Sequence, residues 1–250
     1  ALAILLMWLS RDNFRAVFWF AVVPAVLSVL VLTAFVREPA RHEGRRRATN
    51  PLSPREIRRL GVAYWSVTAV ATLFTLARFS EAFLLLRAQS AGLSVALVPL
   101  VLVAMNVAYA LSSYPAGAIA DRMNKIDILI AGFVMLIAAD VLLAIDGGWA
   151  LAAGVVLWGL HMGFTQGLFA SLVAETAPAE LRGTGFGVFN MLGGVALVLA
   201  SLMAGELWDR AGPAATFGVG AAITLASLGA LLTLRLRRPG LGAAVAPPGQ

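Results

Sequence analysis

The stretch SSYPAGAIADRMNK, from Ser112 to Lys125, places three charged residues between two long apolar runs. Small residues come first, Asp121 and Arg122 follow abruptly, and Lys125 comes just before the next apolar run. Such a short connection is typical of a tight turn between two membrane-spanning helices, because small residues let the backbones approach closely. These residues alone leave two interpretations of Asp121 open: a partner for the positive end of another helix, or an ordinary solvated side chain.

The composition predicts an all-α membrane protein, a polytopic helical bundle. The chain has 250 residues, of which 60% are hydrophobic and 13% charged, with a mean hydropathy of +0.86. Its net charge of +6 lies mostly between apolar runs, so it indicates orientation in a bilayer rather than nucleic-acid binding. With no cysteine and only two histidines, we predict no disulfide, no metal site and no cofactor. Motifs of soluble enzymes are missing, so the protein is not expected to be an enzyme.

Seven apolar runs are long enough to cross a membrane, which takes about 20 helical residues. A shorter run, Ala1–Leu9, precedes them and is expected to be the end of a helix whose first part is missing. We therefore expect the C-terminal portion of a longer protein. The seven predicted spans are Phe14–Val36, Gly61–Leu86, Val95–Ala118, Ile126–Ile145, Trp149–Ala174, Thr184–Leu207 and Pro213–Leu234.

The basic residues predict the orientation of these spans. The segments after the first, third, fifth and seventh runs hold 14 Lys and Arg, and the other side holds only four. Because basic loops stay on the cytoplasmic side, we expect the turn after Ser112 and the C-terminus to face the cytoplasm. Residues 37–60 are predicted to form a basic cytoplasmic loop ending in a short helix, and residues 239–250 a disordered tail.

Two loops carry a resemblance to a known family. Gly117-Ala118-Ile119-Ala120-Asp121-Arg122-Met123-Asn124-Lys125 resembles the G-x-x-x-D-R-x-x-K/R loop between the eighth and ninth helices of the major facilitator superfamily. Asn124 departs from the glycine that is usual there, but asparagine also tolerates a left-handed backbone. The stretch from Pro178 to Gly183 is similar to the family's P-x-x-x-R-G turn between the tenth and eleventh helices.

The resemblance implies a secondary transporter that works by alternating access. Residues 1–36 would be the end of the N-terminal half (part of the fifth helix, and the sixth), residues 37–60 the central loop, and residues 61–238 the C-terminal six-helix half. It also implies a gate in which the loop aspartate holds the end of the eleventh helix. The residues expected to form this gate are Gly117, Asp121, Arg122, Lys125, Arg182 and Gly183.

Ionisable residues within the predicted spans are candidates for the transport site, because a charge at membrane depth is costly. Arg78 and Glu81 are three residues apart and are expected to share a helix face. Arg78 could meet an anionic group of the substrate and Glu81 could exchange a proton. Alternatively, the two form a structural ion pair. Asp140 is expected to reach the membrane interface from the end of its span.

Polar residues on three other faces are also candidates. His161 could shuttle protons or contact substrate, or simply hydrogen-bond a neighbouring helix. Asn106, Tyr109 and Ser113 share a face that could line a cavity or pack against a helix. Gly159, Gly163 and Gly167 recur at four-residue spacing, which predicts close packing of that face on another helix.

We therefore expect a multi-pass, monomeric transporter in the cell inner membrane. Besides the lipid bilayer, its expected partners are a small solute and, if transport is proton-coupled, protons. Whether it imports or exports stays open. The alternative is a transport-like receptor or scaffold without turnover.

Overall fold

The computed structural model describes residues 14–35, 54–95 and 97–243. All regular secondary structure in these ranges is helical, which confirms the predicted fold class. A short 3₁₀ turn, Ala179–Leu181, connects the last two helices. The α-helices are α1 (Phe14–Phe35), α2 (Pro54–Arg58), α3 (Gly61–Ala77), α4 (Ala82–Ser90), α5 (Val98–Ala120), α6 (Lys125–Ala144), α7 (Gly148–Thr176) and α8 (Arg182–Arg237).

The chain divides into two compact units, Ala1–Arg47 and Ala48–Gln250. The described part of the first unit is α1, whose 22 residues would extend about 33 Å, enough to cross a hydrocarbon core. The predicted helix end at Ala1–Leu9 and most of the basic loop, through residue 53, lie outside the described residues.

In the second unit, five helical stretches are long and apolar enough to span a membrane, and the last of them contains two spans. α8 has 56 residues, which as a straight helix would reach about 84 Å, more than twice the hydrocarbon thickness. It is interrupted at Gly212, whose φ of 77° and ψ of −174° are not helical, immediately before Pro213. We call residues 182–211 α8a and residues 213–237 α8b. The five stretches are Gly61–Ser90, Val98–Ala120, Lys125–Ala144, Gly148–Thr176 and Ala179–Arg237.

The predicted continuous helix Gly61–Leu86 is wrong. α3 ends at Ala77 and α4 begins only at Ala82, so four residues inside the span are not helical. Phe79, within this interruption, turns its ring into an aromatic cluster with Phe83 at 5.2 Å, Phe217 at 5.5 Å and Trp158 at 5.6 Å between centroids. This tertiary contact replaces the regular helix.

Neighbouring helices pack through small residues and aromatic rings. α5 lies against α7, where a Cβ added to Gly159 would collide with the Met105 carbonyl oxygen. α6 also lies against α7, where a Cβ on Gly132 would approach Thr165 to 2.6 Å. At the beginning of α3, the Tyr64 hydroxyl donates a hydrogen bond to the Gly185 carbonyl of α8a at 2.8 Å. The close packing predicted for the α7 glycine face is confirmed at Gly159 and at Gly163, where an added Cβ would collide with Ser112 of α5, but Gly167 has no atom within 4 Å of an added Cβ.

The ends of the bundle are tied by charged side chains. At the end that holds Ser90 and Gly148, Arg87 is only 3% exposed and donates to the carbonyl oxygens of Leu143 at 2.8 Å and Ile145 at 2.7 Å. The guanidinium thereby satisfies free carbonyl groups at the end of α6, and it also pairs with Asp146 at 3.0 Å.

At the opposite end, which we call the motif end, residues 239–243 are folded, contrary to the disordered tail predicted for 239–250. The Leu241 carbonyl accepts a hydrogen bond from Asn124 at 3.0 Å, and the Gly242 carbonyl accepts one from the Lys125 amide at 2.9 Å. These two bonds give the segment partners that its composition does not reveal. Residues 244–250 lie outside the described part of the chain.

Candidate functional site

A cavity of about 590 Å³ opens at the interruption between α3 and α4. Its wall is formed by the four residues of the interruption, by Trp158 of α7 and by α8a, which contributes Ser201 and apolar side chains. A volume of this size accommodates a small organic molecule. Because the interruption lies inside a stretch long enough to span a membrane, we expect the cavity to lie at membrane depth.

Arg78 and Glu81 both line this cavity, but not in the way their spacing predicts. They do not share a helix face, since the backbone between them is not helical, and they make no ion pair within the described residues. The structure therefore places two of the candidate residues, Arg78 and Glu81, in the wall of the same cavity.

His161 lies behind the cavity wall rather than in it. The residue is completely buried, with its ring edge-on to Trp158 at 5.4 Å and to Phe74 at 6.2 Å between centroids. The carbonyl groups of Leu157 and Trp158, one turn earlier, face the ring, yet neither ring nitrogen makes a hydrogen bond of normal geometry to the described residues. Trp158 thus separates the imidazole from the cavity.

A second, smaller cavity of about 330 Å³ lies between α5 and α7 towards the motif end. Tyr109 and Ser113 line it, and the Tyr109 hydroxyl donates to Gln166 at 3.4 Å. Asn106 is exposed and donates to the Leu102 carbonyl of its own helix at 2.8 Å. Of the predicted polar face of α5, Tyr109 and Ser113 therefore border a cavity and Asn106 does not.

The turn between α5 and α6, residues 121–124, is called the motif turn below. Asp121 and Arg122 are exposed, and neither side chain has a hydrogen bond or ion pair among the described residues. Lys125 forms an ion pair with Glu175 near the end of α7. Gly117 meets no atom within 4 Å of an added Cβ, so the close backbone approach expected there is not observed.

The predicted partners of Asp121 at the start of α8 are engaged elsewhere. Arg182 donates from its Nε to the Ala174 carbonyl of α7 at 3.1 Å, and Gly183 lies in open space. In this conformation the structure does not bring Asp121 and Arg182 together into an ion pair.

Asp140 is a buried acidic residue that the sequence interpretation misplaced. Instead of reaching the membrane interface it is completely buried, and a Cβ on Gly220 of α8b would lie 3.0 Å from its Oδ2 and 3.2 Å from the Phe79 ring. Neither carboxyl oxygen has a hydrogen-bond partner among the described residues. Helical periodicity could have found it, because Phe133, Leu136 and Leu143 lie on the same buried face.

Comparison with known proteins agrees with the observed fold. The family model described as Major Facilitator Superfamily matches residues 79–248. An uncharacterized MFS-type transporter of Methanocaldococcus jannaschii is 29% identical in a 168-residue alignment that covers 63% of this chain and 41% of that protein. The chain thus spans about two fifths of the length of this curated relative.

Solved structures share the same helical arrangement. A crystal structure of a point mutant of peptide transporter POT aligns with a TM-score of 0.61 at 22% identity, and POT in complex with sulfate aligns with 0.62 at 21%. Each alignment covers 74% of this chain and 40% of the POT chain. The fold agrees with the match of the family model to more than half of the sequence, and the chain belongs to the Major Facilitator Superfamily.

Proposed function

We propose that the complete protein moves a small solute across the membrane by alternating access. The observation that carries this proposal is the 590 Å³ cavity at the interruption between α3 and α4, which is lined by the charged side chains of Arg78 and Glu81. Secondary transporters commonly bind their substrates near the membrane midplane, beside interrupted helices. Membership of the superfamily supports the same function.

Arg78 meets an anionic group of the solute in this proposal. Its guanidinium has no hydrogen bond or ion pair to the described residues, and an unpaired cation at membrane depth is costly. An anionic group in the cavity would supply the missing hydrogen bonds. Glu81, which is exposed beside it, takes up and releases a proton as the cavity opens to either side of the membrane.

Asp121 acts as a gating latch, with Arg122, Lys125 and Gly117 in the same loop and Arg182 and Gly183 on the opposite side. A carboxylate near the first turn of α8 would be stabilised by the helix dipole, and this contact can be made and broken. The exposed, unpaired Asp121 side chain supports a latch that is open in this conformation.

The proposed setting is the cell inner membrane, with the motif end and the C-terminus in the cytoplasm. The support is the distribution of Lys and Arg, since 14 lie on the motif side and four on the other.

Counterflow in proteoliposomes tests the transport function. The full-length protein is screened with a panel of radiolabelled carboxylates, amino acids, amines and sugars. Uptake of each transported solute is then measured with the Arg78→Gln variant. Losing a charged hydrogen bond costs about 1.5–3 kcal/mol, so we expect uptake of the anionic hits to fall by about tenfold or more. Arg210→Gln is the matched control, because its side chain is 79% exposed on α8a. Specific binding without counterflow of any solute would instead support a receptor.

The Glu81→Gln variant tests proton coupling in the same vesicles. We expect it to abolish solute movement driven by a pH gradient while solute exchange continues, because exchange needs no net proton transfer. Loss of folded protein in detergent would instead assign Glu81 a structural role.

A further inference from the structure

The segment directly after α8, residues 239–243, which we call the strap, packs on the motif turn. Two hydrogen bonds join them: the Asn124 side-chain amide donates to the Leu241 carbonyl, and the Lys125 amide donates to the Gly242 carbonyl. The Asn124 side chain also accepts a hydrogen bond from the Ile126 amide at 2.9 Å, which caps the N-terminus of α6. One side chain thus holds both the turn and the strap.

Gly242 shows that this contact needs a specific backbone. Its φ of +69° lies in the left-handed region, where side chains other than glycine are disfavoured. An added Cβ would lie 3.1 Å from Leu172 of α7, 3.3 Å from the Asn124 Oδ1 and 3.3 Å from the Lys125 Cβ. Conformation and limited space therefore both disfavour a side chain at position 242.

Arg235, in the last turn of α8b, holds the beginning of the strap. Its Nε and Nη2 donate to the two carboxylate oxygens of Asp127 in α6, at 2.9 and 3.1 Å. Its Nη1 donates to the Pro239 carbonyl at 3.0 Å. The guanidinium consequently fixes the strap relative to the first turn of α6, where the motif turn ends.

The strap also limits how far Asp121 can move. The motif turn has four residues, and three backbone steps from Asn124 to Asp121 span at most about 11 Å. Because Asn124 and Lys125 are bonded to the strap, and Lys125 also pairs with Glu175, the position of Asp121 is confined from one side. In this conformation the strap is closed and Asp121 makes no ion pair with Arg182.

We propose that the strap is a conformational device that restrains the motif turn, and that it must loosen before Asp121 can reach the start of α8. The inference rests on the latch role proposed for Asp121. Asn124 is the residue through which the strap acts, which gives a structural reason for asparagine where the family usually has glycine.

Gly242→Val and Gly240→Val are the paired variants that test this device. Gly240 has no atom within 4 Å of an added Cβ and no positive φ, so valine fits there, whereas valine at 242 displaces the strap. Hydrogen exchange of the full-length protein in nanodiscs measures the Lys125 amide. We expect it to exchange about tenfold faster in Gly242→Val than in Gly240→Val, because its acceptor is lost.

Cross-linking measures the consequence for the latch. Cysteines replace Asp121 and Arg182, in a full-length background whose other cysteines have been replaced, and a bifunctional maleimide joins them. We expect the rate of cross-linking between the two cysteines to rise several-fold when Gly242→Val is added and to stay unchanged when Gly240→Val is added. Asn124→Gly, which removes the side-chain bond without adding bulk, should act like Gly242→Val and serves as the second variant if that protein does not fold.

If the Lys125 amide exchanged at the same rate in all variants, the proposal that the strap restrains the motif turn would be overturned. If Gly242→Val exchanged faster but cross-linked at an unchanged rate, the strap would not control the position of Asp121. Failure of the latch itself looks different. In that case the Asp121→Asn variant would transport solute at the normal rate, while hydrogen exchange of the Lys125 amide would still be faster in Gly242→Val.

Discussion

Gly159 in α7 determines how closely two helices approach. The position has no side chain, and the Met105 carbonyl and the Ala108 methyl group of α5 occupy the space where a Cβ would be. Gly163, one turn later, similarly faces Ser112 of α5. Small residues allow helices in a membrane to come into close contact, which then stabilises the pair through packing.

Gly159→Val should therefore destabilise the protein. Overpacking in a close contact costs about 1–3 kcal/mol, so we expect a clear fall in the thermal unfolding midpoint in detergent. Gly218→Val is the control, because Gly218 is an exposed helical glycine of α8b with no atom within 4 Å of an added Cβ. A similar midpoint for both variants would contradict the role assigned to Gly159.

At the scale of elements, the spans could be predicted from apolar length, but the interruption between α3 and α4 could not. The end of α8a at Gly212 carries a local signal, since a left-handed glycine before proline ends a helix. The interruption at 78–81 carries no comparable signal, because it depends on the contact of Phe79 with Trp158 and Phe217. Those rings come from spans that are distant in sequence.

The motif turn is the element in which the latch can be tested. Asp121→Asn should leave the protein folded and inserted but slow transport several-fold, because an amide loses a helix-dipole interaction worth up to about 2 kcal/mol. Counterflow of a solute found in the screen measures the rate, and Asp209→Asn, an exposed aspartate of α8a, is the control. Unchanged counterflow in the Asp121 variant would remove the gating role.

At the scale of the whole molecule, the charge distribution predicts the orientation. A fluorescent protein fused after Gln250 should be found in the cytoplasm, since the side holding 14 of the Lys and Arg residues remains there. Protease protection in inside-out and right-side-out vesicles measures this directly. A tag that is digested only in right-side-out vesicles would reverse the proposed orientation.

The sequence by itself determined the helical membrane class, the family and the order of the spans, because these depend on apolar length and short local motifs. Only the tertiary structure decided which polar side chains meet. Arg78 and Glu81 came to line one cavity with Trp158, Asp140 became buried against Gly220, and residues 239–243 found partners in Asn124 and Lys125. The physical reason is that these contacts join residues far apart in the chain, and their partners are set by the packing of whole helices.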